Sequence, residues 1–246
     1  MASVWAIGDI HGECEKLEAL LAALPRAEND FTVYLGDYID RGPDSAGAVR
    51  RVLAEYDANP ERTILLWGNH EDMAAGRYSL DRPSTFEYDL FDWYRNGGIQ
   101  AMKSFGYGDY DLFQADCPPE LIRLMELLKL YWQAPADLFP DLAHCIWVHA
   151  GVLPDLPVEE QGGDTLLWVR DEFLHFPDKL GRLIIHGHTP MRKVRVTVDK
   201  IGIDTGAVFG GVLTALQLPE RLVYQADEEG NVTSYDLDNP PADQPE

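Results

Sequence analysis

Five short motifs hold the residues best suited to chemistry: GDIHG at 8–12, GDYIDRG at 36–42, GNHE at 68–71, HAG at 149–151 and GHTP at 187–190. Carboxylates, imidazoles and an amide oxygen recur in them, and these are groups that divalent metals accept as ligands. Asp9 and His11 alternate across Ile10, so an extended turn can aim both at one side, and Gly8 and Gly12 permit a tight passage from strand to loop. Alone, such a pair is weak evidence. Asp37 has two oxygens and can bridge two cations, which catalytic pairs hold about 3.5 to 4 Å apart. Arg41 offers a forked pair of hydrogen bonds to phosphate oxygens, while Asp40 can orient a neighbouring histidine. Asn69 supplies an amide oxygen, and His70 beside it can act as an acid toward a leaving oxygen. His149 and His188 would complete a second metal site. A single histidine after an apolar strand is more often structural, but these two belong to a series of strand-end motifs.

Groups so far apart in sequence need a scaffold that collects strand ends. Apolar runs at Ser3–Ile7, Phe31–Leu35 and Thr63–Trp67 each lead into one of the first three motifs, and amphipathic helices follow. This is the pattern of βαβ units feeding a central sheet, in which ligand sites gather outside the carboxyl ends of the strands. Leu17, Leu20, Leu21 and Leu24 mark the core face of the first helix, which Pro25 helps to end; Val49, Val52 and Leu53 line the second, with Ser45 as its expected cap. From about 78 to 135 the pattern changes to aromatic-rich helices, a helical insert or cap. Phe86, Tyr88, Phe91, Trp93 and Tyr94 read as core more than as a substrate platform, and Gly97–Gly98 is a candidate hinge. Strands are expected again at Ala143–Val148, Leu183–Ile185, Val194–Val198, Ile201–Ile203, Val212–Leu218 and Arg221–Gln225, the later ones antiparallel because their connections are short. We expect a single α/β domain over 1–237 and a disordered Pro- and acid-rich tail at 238–246.

With 246 residues, 46% of them hydrophobic and 25% charged, the composition is that of a folded globular chain. A formal net charge of −22 repels phosphate backbones, which excludes a nucleic-acid-binding module. Most of this acidity reads as solubility, and the acidic surface would also favour basic phosphopeptides as substrates. No run of about 18 apolar residues occurs and no basic leader precedes an apolar stretch, so a cytoplasmic protein without membrane association is expected. Cys14, Cys117 and Cys145 are odd in number and lack CxxC spacing, which indicates neither a disulfide framework nor a structural zinc site.

Taken in order, the five motifs resemble the calcineurin-like metallophosphoesterases of the phosphoprotein-phosphatase type, in particular the short bacterial and phage serine/threonine protein phosphatases. They span Gly8 to Pro190, about three-quarters of the chain. The resemblance implies a β-sandwich of two mixed sheets flanked by helices. It implies that Asp9, His11 and Asp37 bind one metal and that Asp37, Asn69, His149 and His188 bind the other. His70 would be the general acid, Asp40 its partner, and Arg41 and Arg170 the phosphate clamps; Arg170 can also be read as a helix-borne surface residue paired with Asp171 and Glu172. His186 would support the ligands and Asp204 the structure. Two divalent ions, manganese by resemblance with Fe, Zn, Co or Ni as alternatives, would supply a bridging hydroxide that attacks phosphorus directly in a phosphoprotein or phosphopeptide substrate.

Two other functions compete. Symmetrical dinucleoside tetraphosphate hydrolases resemble this chain closely but usually replace the aspartate at the position of Asp40 and often end the third motif in aspartate, so DRG and GNHE favour the phosphatase. A noncatalytic scaffold of the same fold has no need for His70, Asp40 and Arg41 together. Serine/threonine versus tyrosine preference and oligomeric state are not written in the motifs.

Overall fold

The computed structural model describes residues 2–89, 91–108 and 116–241. Its strands are β1 (Val4–Ile7), β2 (Phe31–Tyr34), β3 (Thr63–Leu65), β4 (Tyr131–Gln133), β5 (Cys145–Val148), β6 (Leu183–His186), β7 (Arg195–Val196), β8 (Lys200–Gly202), β9 (Leu213–Leu218), β10 (Leu222–Ala226) and β11 (Val232–Asp236). They form a six-stranded sheet in the order β11-β10-β9-β1-β2-β3 and a five-stranded sheet in the order β4-β5-β6-β8-β7. Both are mixed: β1, β2 and β3 run parallel, as do β5, β6 and β8, with antiparallel strands at the flanks.

Alternation along the strands sets the layers, because successive side chains point to opposite faces. Val4, Ala6, Val33 and Leu35 turn inward against Cys145, Trp147, Ile185 and Ile201 of the facing sheet. Trp5, Ile7 and Tyr34 point the other way, into a core shared with α1 (Cys14–Ala23) and α2 (Ser45–Ala58). On the outer face of the second sheet, Ile146, Val148 and Ile184 pack on Leu166 of α6 (Gly163–Trp168) and Phe173 of α7 (Asp171–His175). The sandwich expected from the motifs is therefore present, with an apolar layer between the sheets and one outside each.

Several local expectations change. Asp44, not Ser45, caps α2 by accepting the Gly47 N–H at 2.7 Å. Ser45 Oγ instead accepts the Asp40 N–H at 2.9 Å. The short connection from β6 to β7 does not make an antiparallel pair, because β8 inserts between them and pairs with β6 in parallel. Neither β4 nor β11 was expected: β4 is three residues long within an aromatic stretch, and β11 is mostly polar. In the insert, a π-helical turn (Tyr94–Gly98) leads into α4 (Ile99–Ser104), and α5 (Pro119–Leu127) follows. Trp93 and Tyr94 are buried, whereas Phe86 and Phe91 are exposed. The last five residues of the expected tail, 242–246, lie outside the described residues.

Candidate active site

Parallel pairing brings the carboxyl ends of β1, β2 and β3 together and sets those of β5 and β6 opposite them. Asp9 and His11 follow β1, Asp37 follows β2, and Asn69 and His70 open α3 (Asn69–Arg77) after β3; His149 follows β5 and His188 follows β6. All seven side chains are buried. The chain turns sharply to deliver them: His11, Asp37, Asp40, Arg41 and His188 account for five of the seven non-glycine residues with positive φ among those described. Such conformations are costly, and they concentrate where the surrounding structure fixes functional groups.

Asp37 lies at the centre. Its Oδ2 is 3.3 Å from His11 Nε2 and its Oδ1 is 3.4 Å from His149 Nε2. Each of these histidines bonds a backbone carbonyl through Nδ1, His11 to Ile39 O at 2.8 Å and His149 to Leu35 O at 2.7 Å. A carbonyl only accepts, so the proton sits on Nδ1 and the Nε2 lone pair faces the carboxylate. Across the site, Asn69 Oδ1 is 2.9 Å from His149 Nε2 and 2.8 Å from His188 Nδ1. Lone pairs thus converge with no hydrogen between Asp37 and its two imidazoles, an arrangement that a cation satisfies. Two sets of side chains bring ligand atoms within 4.8 Å of one another, His11 with Asp37 and His70, and Asp37 with His149 and His188. Asp9 lies beside the cluster, its carboxylate accepting the His188 N–H at 3.0 Å and close enough to Asp37 to feel its charge.

The charges make the same demand. Burial raises the Asp9 carboxyl well above its ordinary range, and the neighbouring Asp204 and Asp37 add to the effect. Burial likewise lifts Asp204 to about 6. Burial works to raise Asp37 as well, but any proton on the surrounding imidazoles lowers it below its ordinary range. Burial lowers His11 to about 4 and also depresses His149 and His188, which leaves neutral rings able to ligate. These donors fit a pair of divalent ions.

A second constellation adjoins the first. His70 Nδ1 meets Asp40 Oδ2 at 2.6 Å, with both side chains buried, and the His70 ring stands edge-on to His11 with centroids 4.6 Å apart. Burial pushes Asp40 up and His70 down. The Arg41 guanidinium donates to His11 Nε2 at 2.7 Å. Arg170 lies between α6 and α7, outside both helices, and donates from Nε to His188 Nε2 at 3.0 Å and from Nη2 to the His188 carbonyl at 3.3 Å. It faces the site and not a surface pairing with Asp171 and Glu172. His186 points away, its ring edge-on to Phe173 at 4.8 Å and its Nδ1 on the Gly187 carbonyl.

Residues 2–208 match the calcineurin-like phosphoesterase family. The chain belongs to that family. As a calcineurin-like phosphoesterase it is a metal-dependent phosphoester hydrolase. It is 31% identical to serine/threonine-protein phosphatase 1 of Salmonella typhimurium, over 87% of this chain and 91% of the relative. It is 27% identical to the asymmetrical bis(5'-nucleosyl)-tetraphosphatase PrpE of Anoxybacillus flavithermus, over 87% and 89%, and 28% identical to a symmetrical bis(5'-nucleosyl)-tetraphosphatase of Ralstonia nicotianae, over 87% and 88%. A Saccharomyces cerevisiae protein serine/threonine phosphatase superposes with a TM-score of 0.59 at 14% identity, covering 99% of this chain and 82% of that one, a likeness of fold.

Three features of the phosphoesterase carry no functional reading from the motifs alone. Glu71 accepts the backbone N–H groups of Asp37, Tyr38, Ile39 and Gly68 at 2.9 to 3.3 Å and so shapes the Asp37 turn. Its place in GNHE was the available signal. Lys16 is buried and donates to the carbonyls of Ala207 and Gly211 at 2.7 and 3.1 Å, fixing a loop that holds exposed Phe209 5.5 Å from the Arg41 guanidinium. Trp93 reaches the site from the insert. No local pattern marks Lys16 or Trp93, because both contacts are long-range.

Proposed function

We propose that this phosphoesterase removes phosphate from phosphorylated serine and threonine side chains, and from tyrosine, by direct displacement at phosphorus. The observation that carries the reading is the buried contact of 2.6 Å between His70 and Asp40. An alkoxide is a poor leaving group and must be protonated as it departs, whereas the phosphate expelled from an anhydride needs little help. A carboxylate that accepts the Nδ1–H of His70 stabilises the protonated ring and aims its other nitrogen, which is what an acid toward an alkoxide requires.

In this reading Asp9, His11 and Asp37 would hold one divalent ion, and Asp37, Asn69, His149 and His188 the other. Manganese is the metal we favour. When bound, the pair supplies Lewis acidity toward the phosphoryl oxygens and lowers the pKa of water. Arg41 and Arg170 are bonded to His11 and His188, one histidine from each ligand set, and would take up charge on the remaining phosphoryl oxygens. Glu71 keeps the Asp37 backbone turned so that both carboxylate oxygens stay within the cluster.

A second reading, hydrolysis of a dinucleoside tetraphosphate, is favoured by the surroundings of Phe209. Its ring lies beside Arg41 and lines a cavity of about 450 Å³ with Pro190, Met191 and Thr205, which suits a planar base. Most of the similar curated proteins carry names of that activity. Turnover with added Mn²⁺ and with EDTA, read as phosphate release from a phosphoserine or phosphothreonine peptide and a phosphotyrosine peptide and as mononucleotide products from diadenosine tetraphosphate, separates the readings. Faster metal-dependent release from a phosphopeptide supports the phosphatase; nucleotide products from the dinucleotide alone overturn it.

A further inference from the structure

Trp93 belongs to the insert, 53 residues from Asp40, and is fully buried. Aromatic side chains at such positions ordinarily serve as apolar filling, and a buried indole N–H takes whatever acceptor is near. Here the acceptor is both oxygens of the carboxylate that bonds His70: Trp93 Nε1 is 3.0 Å from Asp40 Oδ1 and 2.8 Å from Asp40 Oδ2. The His70 ring meets that same Oδ2 at 2.6 Å. The indole N–H therefore donates to the same carboxylate that the His70 ring meets, and ties both of its oxygens to the insert.

The insert also grips the backbone at this point. Asp40 and Arg41 both have positive φ, 77° and 68°, a conformation unfavourable for residues with a Cβ. Gly97, in the π-helical turn that follows Trp93, lies directly against them, and a Cβ there would come 2.5 Å from the Arg41 nitrogen and 2.9 Å from Asp40 Cβ. Gly97 is thus a point of docking on the Asp40–Arg41 turn, and Gly98 lies against the Trp93 indole, where a Cβ would come 2.6 Å from the ring; the sequence suggested a hinge at this pair. Side chain and turn together hold Asp40 in position.

We propose that Trp93 is a positioning residue for acid catalysis, its indole N–H fixing the rotation of the Asp40 carboxylate that aims His70 at the leaving oxygen. The inference rests on the reading of His70 as the acid. It gives the insert a part in the reaction itself: without that N–H the carboxylate is free to turn, and the ring it orients loses its aim. The barrier then rises only for substrates whose leaving oxygen needs a proton.

The test uses the full chain with Mn²⁺ and two substrates that differ in the leaving group, phenyl phosphate (poor) and p-nitrophenyl phosphate (good). Replacing Trp93 with 3-benzothienylalanine, which keeps the shape and lacks the N–H, isolates the hydrogen bond; Trp93→Phe is the genetic counterpart, and the isosteric variant carries the test if Trp93→Phe does not fold. For the isosteric variant kcat on phenyl phosphate is expected to fall by about ten-fold or more, while kcat on p-nitrophenyl phosphate stays within about three-fold and both KM values within about two-fold. His70→Asn is expected to show the same split more strongly. Equal losses on the two substrates, or no loss, alongside a split in His70→Asn overturn the role of Trp93. If His70→Asn itself shows no split, the assignment of the acid falls and this inference falls with it.

Discussion

At the scale of single residues, the site depends on keeping imidazoles neutral inside the protein. His186 shows the cost outside the ligand cluster: burial lowers its pKa from 6.5 to about 4, and its Nε2 has no hydrogen-bond partner. Because the folded state resists the proton, the unfolded chain takes it up first as pH falls below 6.5. The stability this ring contributes is intact above that value and is lost between pH 6.5 and about 4, by up to about 3 kcal/mol. Buried Asp9 and Asp204, whose pKa values are raised, act in the opposite sense, so a difference between variants isolates the histidine. Urea unfolding of metal-free protein at pH 7.5 and 4.5 should show His186→Asn losing about 2 to 3 kcal/mol less on acidification than the parent. Equal acid sensitivity in the two proteins would refute this.

At the scale of elements, the insert meets the sandwich through backbone contact as well as through Trp93. Gly97 has φ +116° and no space for a Cβ, whereas Gly106 has φ +93° with nothing within 4 Å of where a Cβ would stand. Gly97→Ala should therefore cost both conformational strain and displacement of the Asp40–Arg41 turn, roughly 2 kcal/mol or more, with kcat reduced about ten-fold. Gly106→Ala should cost only about 1 kcal/mol and leave kcat unchanged. Thermal melts and turnover of the two variants check this, and equal kcat in both would show that the turn adapts to the insert. These contacts also mark a limit of reading from sequence. Gly97–Gly98 stands out as a break in a helical pattern, but what the break packs against depends on the fold.

For the whole molecule, the two sheets meet at a point where acidic groups accumulate. Asp9, Asp37 and Asp204 raise one another's energy within one buried region. Divalent ions should relieve that repulsion, so binding and stability are linked. At a metal concentration 100 times its Kd, binding contributes about 2.7 kcal/mol, which for a domain of this size corresponds to roughly 5 to 10 °C in Tm. EDTA should lower Tm by that order, and Mn²⁺ should restore it along with activity. A Tm that does not respond to either addition would mean that the cluster holds no structural metal. Among the described residues no helix is long and apolar enough to cross a membrane.

The residue types in the motifs determined much of this. GDIHG, GDYIDRG, GNHE, HAG and GHTP supplied the candidate ligands, acid and clamp because metal and phosphate chemistry restrict which side chains can serve, and apolar runs before each motif placed them at strand ends. Local periodicity also located the core faces of α1 and α2, since amphipathic spacing is written within a few residues. Only the tertiary structure decided the rest. That β8 lies between β6 and β7, that Arg170 turns to His188, that Lys16 anchors the Phe209 loop and that Trp93 bonds Asp40 are all outcomes of long-range packing. Their partners stand far away along the chain, and spacing within a segment holds no information about which distant surface that segment will meet.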